Sequence, residues 1–180
     1  MLIAFTLAVL AILAAPFFIG FRSQRPAHFA ALSPSFDPRR DLNGQILCEG
    51  VIYGPTGRVT SRFVAEMEGK WEGNRGVLSE RFRYDNGDQQ DREWRLTVGN
   101  DGTMRAEADD VVGAGAGTIS GPTVQMLYKL RLPKSAGGHV LSVTDWMYLA
   151  ENGTIINRSQ FHKFGIKVAE LVATMRRVPA

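Results

Sequence analysis

The sequence predicts an all-β domain, an antiparallel up-and-down barrel of about ten strands, preceded by one N-terminal transmembrane helix. Three observations carry this prediction. Residues 1–21 hold no charged side chain and are almost wholly apolar. From about residue 44 onward the chain turns into short runs of alternating apolar and polar residues, the signature of half-buried strands. Between those runs stand frequent turn signals, among them Pro55-Thr56-Gly57, Gly73-Asn74, Asn86-Gly87, Asn100-Asp101-Gly102, Gly137-Gly138 and Asn152-Gly153.

The apolar run 1–21 reaches the ~20 residues that a helix needs to cross a bilayer core. A cleaved signal peptide is the alternative, and it calls for small residues at positions −3 and −1 of the cut. Cuts after Ala14 or Ala15 leave Ile12 or Leu13 at −3, which favours a retained anchor. Arg22 and Arg25 follow the run, and the positive-inside rule taken alone places them in the cytoplasm. A basic stretch upstream of Met1 would reverse that argument. Residues 22–43, with Pro26, Pro34, Pro38 and Asn43-Gly44, read as a linker that lets the domain stand off the membrane. The domain itself is expected over 44–180.

Strands are expected at 45–53, 59–69, 76–84, 89–98, 103–109, 114–120, 123–132, 139–149, 154–162 and 166–176. Asn-Gly pairs suit tight hairpins because both residues tolerate positive φ. Leu171 to Met175 is short enough to be strand or helix. Consecutive strands joined by short turns imply a meander, and a sheet of about ten strands tends to close and so remove its edges. A closed barrel of this lipocalin-like or calycin-like kind often encloses a small ligand. A sandwich is the alternative.

Composition narrows the function classes. The 180 residues suffice for one domain and an anchor, and 44% hydrophobic with 22% charged residues describes a folded chain. The net charge is +3 with the bases scattered, which argues against a nucleic-acid partner and allows mild attraction to an anionic membrane surface. Cys48 is the single cysteine, so neither an intramolecular disulfide nor a cysteine-based zinc site can form. It reads as a small buried hydrophobe.

Strand alternation sorts side chains into faces. Leu78, Glu80, Phe82 and Tyr84 share a face; Arg92 lies with Trp94, Leu96 and Val98; Asp145 lies with Leu141, Val143, Met147 and Leu149. Trp146 and Tyr148 take the opposite face. Ile155, Asn157, Ser159 and Phe161 alternate with Ile156, Arg158, Gln160 and His162. A mainly apolar interior thus receives Glu80, Arg92 and Asp145, with Asn157 or Arg158 near them and Trp94, Tyr128 and Met147 in the lining. Charges in such a place must pair or bind something. These eight residues are the candidate ligand site, with an arginine fork for a carboxylate or phosphate headgroup. The alternative is a satisfied ion-pair network that fixes barrel register. Asp109-Asp110 reads as a turn or solvent-face pair, because neighbours on a strand do not converge. Gly113, Gly115 and Gly117 read as a strand bend, since no Walker lysine follows. His28, His139 and His162 are scattered. No nucleophile, metal-ligand or cofactor motif stands out, so no enzyme activity, metal or cofactor is expected.

Several longer stretches are similar to a known family: Gly69-Lys70-Trp71-Glu72-Gly73, Leu78-Ser79-Glu80-Arg81-Phe82-Arg83-Tyr84-Asp85-Asn86-Gly87, Ala108-Asp109-Asp110-Val111-Val112-Gly113, Tyr128-Lys129-Leu130-Arg131-Leu132-Pro133, Asp145-Trp146-Met147-Tyr148-Leu149, Ile156-Asn157-Arg158-Ser159 and Lys163-Phe164-Gly165. On these the chain, over roughly 36–178, resembles the bacterial envelope proteins of domain of unknown function family 3833. The resemblance implies an envelope protein, often a predicted lipoprotein, and brings no catalytic residues. This chain has an uninterrupted apolar run and no cysteine placed for lipid attachment. The expectation is a single-pass cell-membrane protein with a periplasmic barrel that binds a lipid-like, fatty-acid-like or other small amphipathic ligand. The alternative is a non-enzymatic envelope scaffold or assembly partner with a filled core and an exposed aromatic patch around Trp146 and Tyr148.

Overall fold

The computed structural model describes residues 5–6 and 20–179. Ten strands follow one another: β1 (Gly44–Tyr53), β2 (Val59–Glu72), β3 (Arg75–Tyr84), β4 (Gln89–Val98), β5 (Thr103–Glu107), β6 (Gly115–Ser120), β7 (Thr123–Arg131), β8 (Val140–Leu149), β9 (Ile155–Lys163) and β10 (Ile166–Arg177). Each pairs antiparallel with its neighbours in sequence, and β1 pairs with β10, so the meander closes into a barrel. The barrel, and not the sandwich, is the solution adopted. Leu171–Met175, open to helix or strand on sequence alone, is strand, held opposite Val51, Ile52 and Cys48 by the closing ladder.

Inward positions alternate as the sequence indicates. On β2 the buried residues are Phe63, Ala65, Met67 and Gly69, and on β7 Val124, Met126 and Tyr128, with Thr123 buried as well at its start. The two ends differ. Strand starts and ends near Gly44, Glu72, Val98, Thr123, Leu149 and Ile155 form one end, whose inward residues are shut off from solvent: Ile46 is 1% exposed, Val124 0% and Ile155 2%. At the other end the inward Ile52, Phe82, Tyr84, Phe161 and Leu171 are only partly buried. That end is the mouth.

The chain ahead of β1 makes the difference. Read from sequence as a linker standing off the domain, residues 22–43 instead lie against the barrel. Phe21 places its ring under the Arg158 guanidinium on the outer wall of β9, 4.7 Å from ring centroid to charge. Tyr148 donates to Gln24 Oε1 at 2.9 Å and Ser120 donates to the Pro26 carbonyl at 2.7 Å. Phe29 packs on Trp146, with ring centroids 5.4 Å apart. Past the edge of β6, Phe36 N donates to the Gly121 carbonyl, and Phe36 and Leu42 plug the closed end. Trp71 Nε1 donates to the Leu42 carbonyl at 3.0 Å and locks the plug. One helical turn at Pro38–Asp41 makes the corner; Asp37 caps it by accepting from Arg39 N, and Asp41 accepts from Asp37 N. The composition that suggested a linker, rich in proline and serine, is equally that of a short irregular segment fixed by tertiary contacts.

This strap also corrects the expectation of an exposed aromatic patch. Trp146 does face outward, but it is 0% exposed, enclosed by Phe29 and stacked on Tyr148. The expected transmembrane helix at 1–21 lies outside the described residues except for its last two positions and residues 5–6. Among the described residues no helix is long and apolar enough to cross a membrane.

Phe36→Ala should lower unfolding stability by about 3–5 kcal/mol, the usual cost of emptying a buried phenylalanine site. Leu127→Ala, on an exposed outward position of β7, should change it by less than about 0.5 kcal/mol. Urea denaturation of both variants checks the contrast; equal effects would mean that the strap does not seal the barrel.

Candidate functional site

The inward faces of the strands enclose a cavity of about 130 Å³ that runs from Leu42 toward the mouth at Phe82 and Phe161. Five of the chain's six methionines line it: Met67, Met104, Met126, Met147 and Met175. Their flexible thioethers make the wall adaptable. Glycine supplies part of the space. A Cβ at Gly117 on β6 would collide with the Met126 sulfur and Met104, so this inward position must stay empty for the two methionines to meet. The predicted bend at Gly113–Gly117 is thus partly a strand whose lack of side chains serves packing.

Seven of the eight predicted site residues line this cavity: Glu80, Arg92, Trp94, Tyr128, Asp145, Met147 and Asn157. Register brings them together. Glu80 on β3 lies directly opposite Arg92 on β4, and Asp145 on β8 opposite Ser159 on β9. Arg158 is the exception. It points outward, donates its Nε–H to Glu170, which also takes Lys167 Nζ at 2.6 Å, and covers Phe21. Strand alternation had already put Arg158 on the opposite face from Asn157; only Asn157 joins the cavity.

Two polar groups result. At mid-height Asp145 accepts from Asn157 Nδ2 and from Ser159 Oγ at 2.9 Å, with the Tyr128 side chain lying close enough to favour its charged form. Nearer the mouth the Arg92 guanidinium lies 4.2 Å from the Trp94 ring centroid and donates through Nε and Nη2 to Asp110 Oδ1 at 3.1 and 2.9 Å. Trp94 meets Tyr128 edge-on at 5.4 Å, and its indole lies beside Glu80, favouring the charged form. Burial raises the Glu80 carboxyl to about 7; Arg92 opposes the rise and Asp145 adds to it. Glu80 is itself only half-buried and lines the cavity. Burial likewise raises Asp145, against the pull of Ser159 and Asn157, and lifts Tyr128 well above the usual phenol range. Cys48 lines the same cavity, and burial pushes its thiol up to about 12.

Asp110 is the residue that sequence reasoning set aside. It stands in the turn after β5, where alternation assigns no face. The turn folds back over the wall through the Val111–Leu130 bridge and the Arg131 N to Asp110 carbonyl bond of 2.7 Å, which aims its carboxylate at Arg92. Its neighbour Asp109 points to solvent and meets Arg95 at 3.2 Å. Among the described residues no cluster of three or more His, Cys, Asp or Glu side chains has the arrangement of a metal site.

The arrangement holds protons. An interior with two carboxyls raised by burial, one phenol and one arginine already engaged by Asp110 offers hydrogen bonds to a polar group and resists a second anion. Because the folded Glu80 binds its proton more tightly than an unfolded glutamate of about 4.5, the wild-type barrel should lose stability as pH rises from about 4.5 to about 7 and level off above. The span corresponds to on the order of 3 kcal/mol. Glu80→Gln should flatten that slope and be the more stable protein at pH 8, as read by urea midpoints across pH. In Arg92→Met the nearest cation is gone, and the Glu80 carboxyl should titrate higher still by carbon NMR; an unmoved titration would mean that Arg92 does not act on Glu80.

Comparison with solved structures places the fold. Similar barrels occur in Rv2717c from M. tuberculosis (TM-score 0.58, 14% identity, 82% of this chain and 99% of that one) and in the S-type phycobiliprotein lyase CPES from Guillardia theta (0.58, 7%, 87% and 99%). A protein of unknown function from the DUF3598 family of Nostoc punctiforme is also similar (0.56, 12%, 81% and 51%). At these identities the likeness concerns the fold alone. No curated protein matches the sequence. The model of the protein of unknown function family DUF3833 matches residues 15–177, nearly the whole barrel and strap, and the chain belongs to that family.

Proposed function

We propose that this protein is a non-enzymatic binding protein for a small amphipathic molecule, held at the cell membrane by residues 1–21 with its barrel on the periplasmic side. The observation that carries the ligand reading is the cavity itself: an apolar, methionine-lined interior with Glu80, Tyr128 and Asp145 converging in it and an open mouth above. Binding sites of small molecules have this make-up, apolar walls with a few placed polar groups. At about 130 Å³ the space resembles the cavities that take one small ring and lies below the ~300 Å³ of larger ligand sites. A ring or a short chain therefore fits within, and a longer tail would leave through the mouth. That a phycobiliprotein lyase has the same fold is consistent with a barrel of this shape meeting a small molecule.

The polar end of the ligand is neutral or cationic in this reading. The headgroup carboxylate expected from an arginine fork would find Arg92 taken by Asp110 and would lie beside two buried acids. A hydroxyl or an amine meets acceptors and a protonated carboxyl instead. The membrane tether rests on the apolar run and on the envelope character that the family resemblance implies.

Alcohols, amines and carboxylates of matched chain length, hexyl to decyl, separate these possibilities on the full-length chain. Native mass spectrometry should retain the alcohols and amines over the carboxylates, and amine binding should tighten as pH rises through about 7, where Glu80 ionises. Glu80→Gln should erase that pH dependence while keeping the alcohols. Retention of none of the series, with no thermal stabilisation, would end the ligand reading. For the tether, an alkaline phosphatase fused after Ala180 should be active in a bacterial host; an inactive fusion would put the barrel in the cytosol.

A further inference from the structure

The acidic side chains of the mouth are gathered on one half of it. Going round the barrel, the β1–β2, β9–β10 and β7–β8 turns form one half of its rim, and the β5–β6 and β3–β4 turns the other. Residues 50–65, 111–144 and 152–169, which carry the first three turns, contain no aspartate or glutamate at all. They bring Arg58, Arg131 and Lys134, all exposed, and Lys163 to the rim. The other half carries the acids, Asp85 and Asp88 on one turn and Glu107, Asp109 and Asp110 on the next, all but Asp88 paired with an arginine, so the basic residues of the first half are the ones without acids beside them on their turns.

In the middle of the cationic half stands the β9–β10 turn. Phe164 is 94% exposed and Ile166 70% exposed, the two most solvent-directed large apolar side chains of the barrel. Phe164 also has φ 52°, the one non-glycine residue with positive φ among the described residues, in a turn where asparagine or glycine is the ordinary choice. Local turn chemistry does not call for a phenylalanine there, and nothing in the fold covers it. Lys163 Nζ lies 5.6 Å from its ring centroid.

The strap brings the start of the described chain to the same place. Gly20–Ser23 lies along the outer wall of β9, with Phe21 under Arg158 and the charge of Arg22 felt by His162, one residue from the end of β9 and two from Phe164. The described chain therefore begins, at Gly20, beside the exposed turn, at the mouth and on its cationic side, directly after an uncharged stretch of sequence.

We propose that the cationic half of the mouth, with Phe164 and Ile166 at its centre, docks on an anionic phospholipid leaflet, so that the cavity opens onto the membrane. An aromatic and an aliphatic side chain on a projecting turn enter the boundary between headgroups and acyl chains, and the surrounding lysines and arginines meet the lipid phosphates. The acid-bearing half of the rim is left facing water. This inference deepens the reading of a tethered binding protein, and its test separates the two.

Full-length chain carrying an environment-sensitive fluorophore on Phe164→Cys is reconstituted into vesicles of equal parts phosphatidylglycerol and phosphatidylcholine, and into phosphatidylcholine alone. Asn100→Cys, in the β4–β5 turn at the closed end, is the control, and buried Cys48 does not compete for label. Flotation reads the tether; iodide quenching from the aqueous side reads docking. The expected result is a chain that floats with both vesicles, with the fluorophore at 164 several-fold less quenched than that at 100 in the anionic vesicles only. Added Lys134→Glu and Lys163→Glu substitutions should return the quenching at 164 to that at 100. A floating chain quenched alike at both positions would overturn docking and leave the tether standing. Equal protection in both vesicle types would overturn the anionic preference, and a chain that does not float would remove tether and docking together.

Discussion

Closure of the sheet by the β1–β10 ladder is the constraint on which everything else rests. Eight consecutive residue pairs, from Ile46–Arg177 to Tyr53–Glu170, join the first strand to the last. Without them a ten-stranded sheet would offer two long unpaired edges and one face of exposed leucines, methionines and phenylalanines. With them each strand acquires an inside and an outside, and a one-residue slip would turn every pair of faces round. The chemistry of the protein follows from that forced choice. Glu80, Arg92 and Asp145 sit on inward positions, so closure carries three ionisable groups out of water together.

Such a cluster persists only because partners arrive from elsewhere in the fold. Asp110 reaches Arg92 from a turn; Ser159 and Asn157 reach Asp145 from the next strand. Glu80 has the least complete set, with Arg92 opposite and the Trp94 indole beside it, and answers by holding its proton to about 7. A fully paired network would be an ordinary structural device for fixing register. This one keeps an incompletely compensated carboxyl and a phenol next to an open space, and it is on that combination that the proposed ligand reading rests.

The strap gives the barrel its polarity. By plugging one end with Phe36 and Leu42 and leaving the other bare, it makes a tube into a cup. Lying along β9 and β8, it also fixes the described start of the chain, at Gly20, against the outer wall of β9. Closed end and cationic side of the mouth are thus linked through a single segment of about twenty residues that crosses the wall once.

Much of this was legible in the order of residues. Period-two alternation and turn dipeptides determine ten strands to within a few residues of those observed, because a half-buried strand must alternate and a tight hairpin must admit positive φ. Alternation alone also places Glu80, Arg92, Asp145 and Asn157 on inward faces, since each lies inside a strand. The failures share a cause: each concerns a residue whose environment is made by chain distant in sequence. Asp110 lies in a turn, where no period exists, and becomes part of the site only through the bridge to Leu130. Trp146 has the outward parity of an exposed residue and is buried by Phe29, more than a hundred positions earlier. Residues 22–43 have the composition of a linker and are ordered by contacts with β6, β8 and β9. The sequence by itself determined the strands, their faces and the carboxyls turned inward, because these follow from local periodicity. Only the tertiary structure decided which end is shut, how large the cavity is and which partners hold its charges, because these depend on contacts between segments that no local pattern relates.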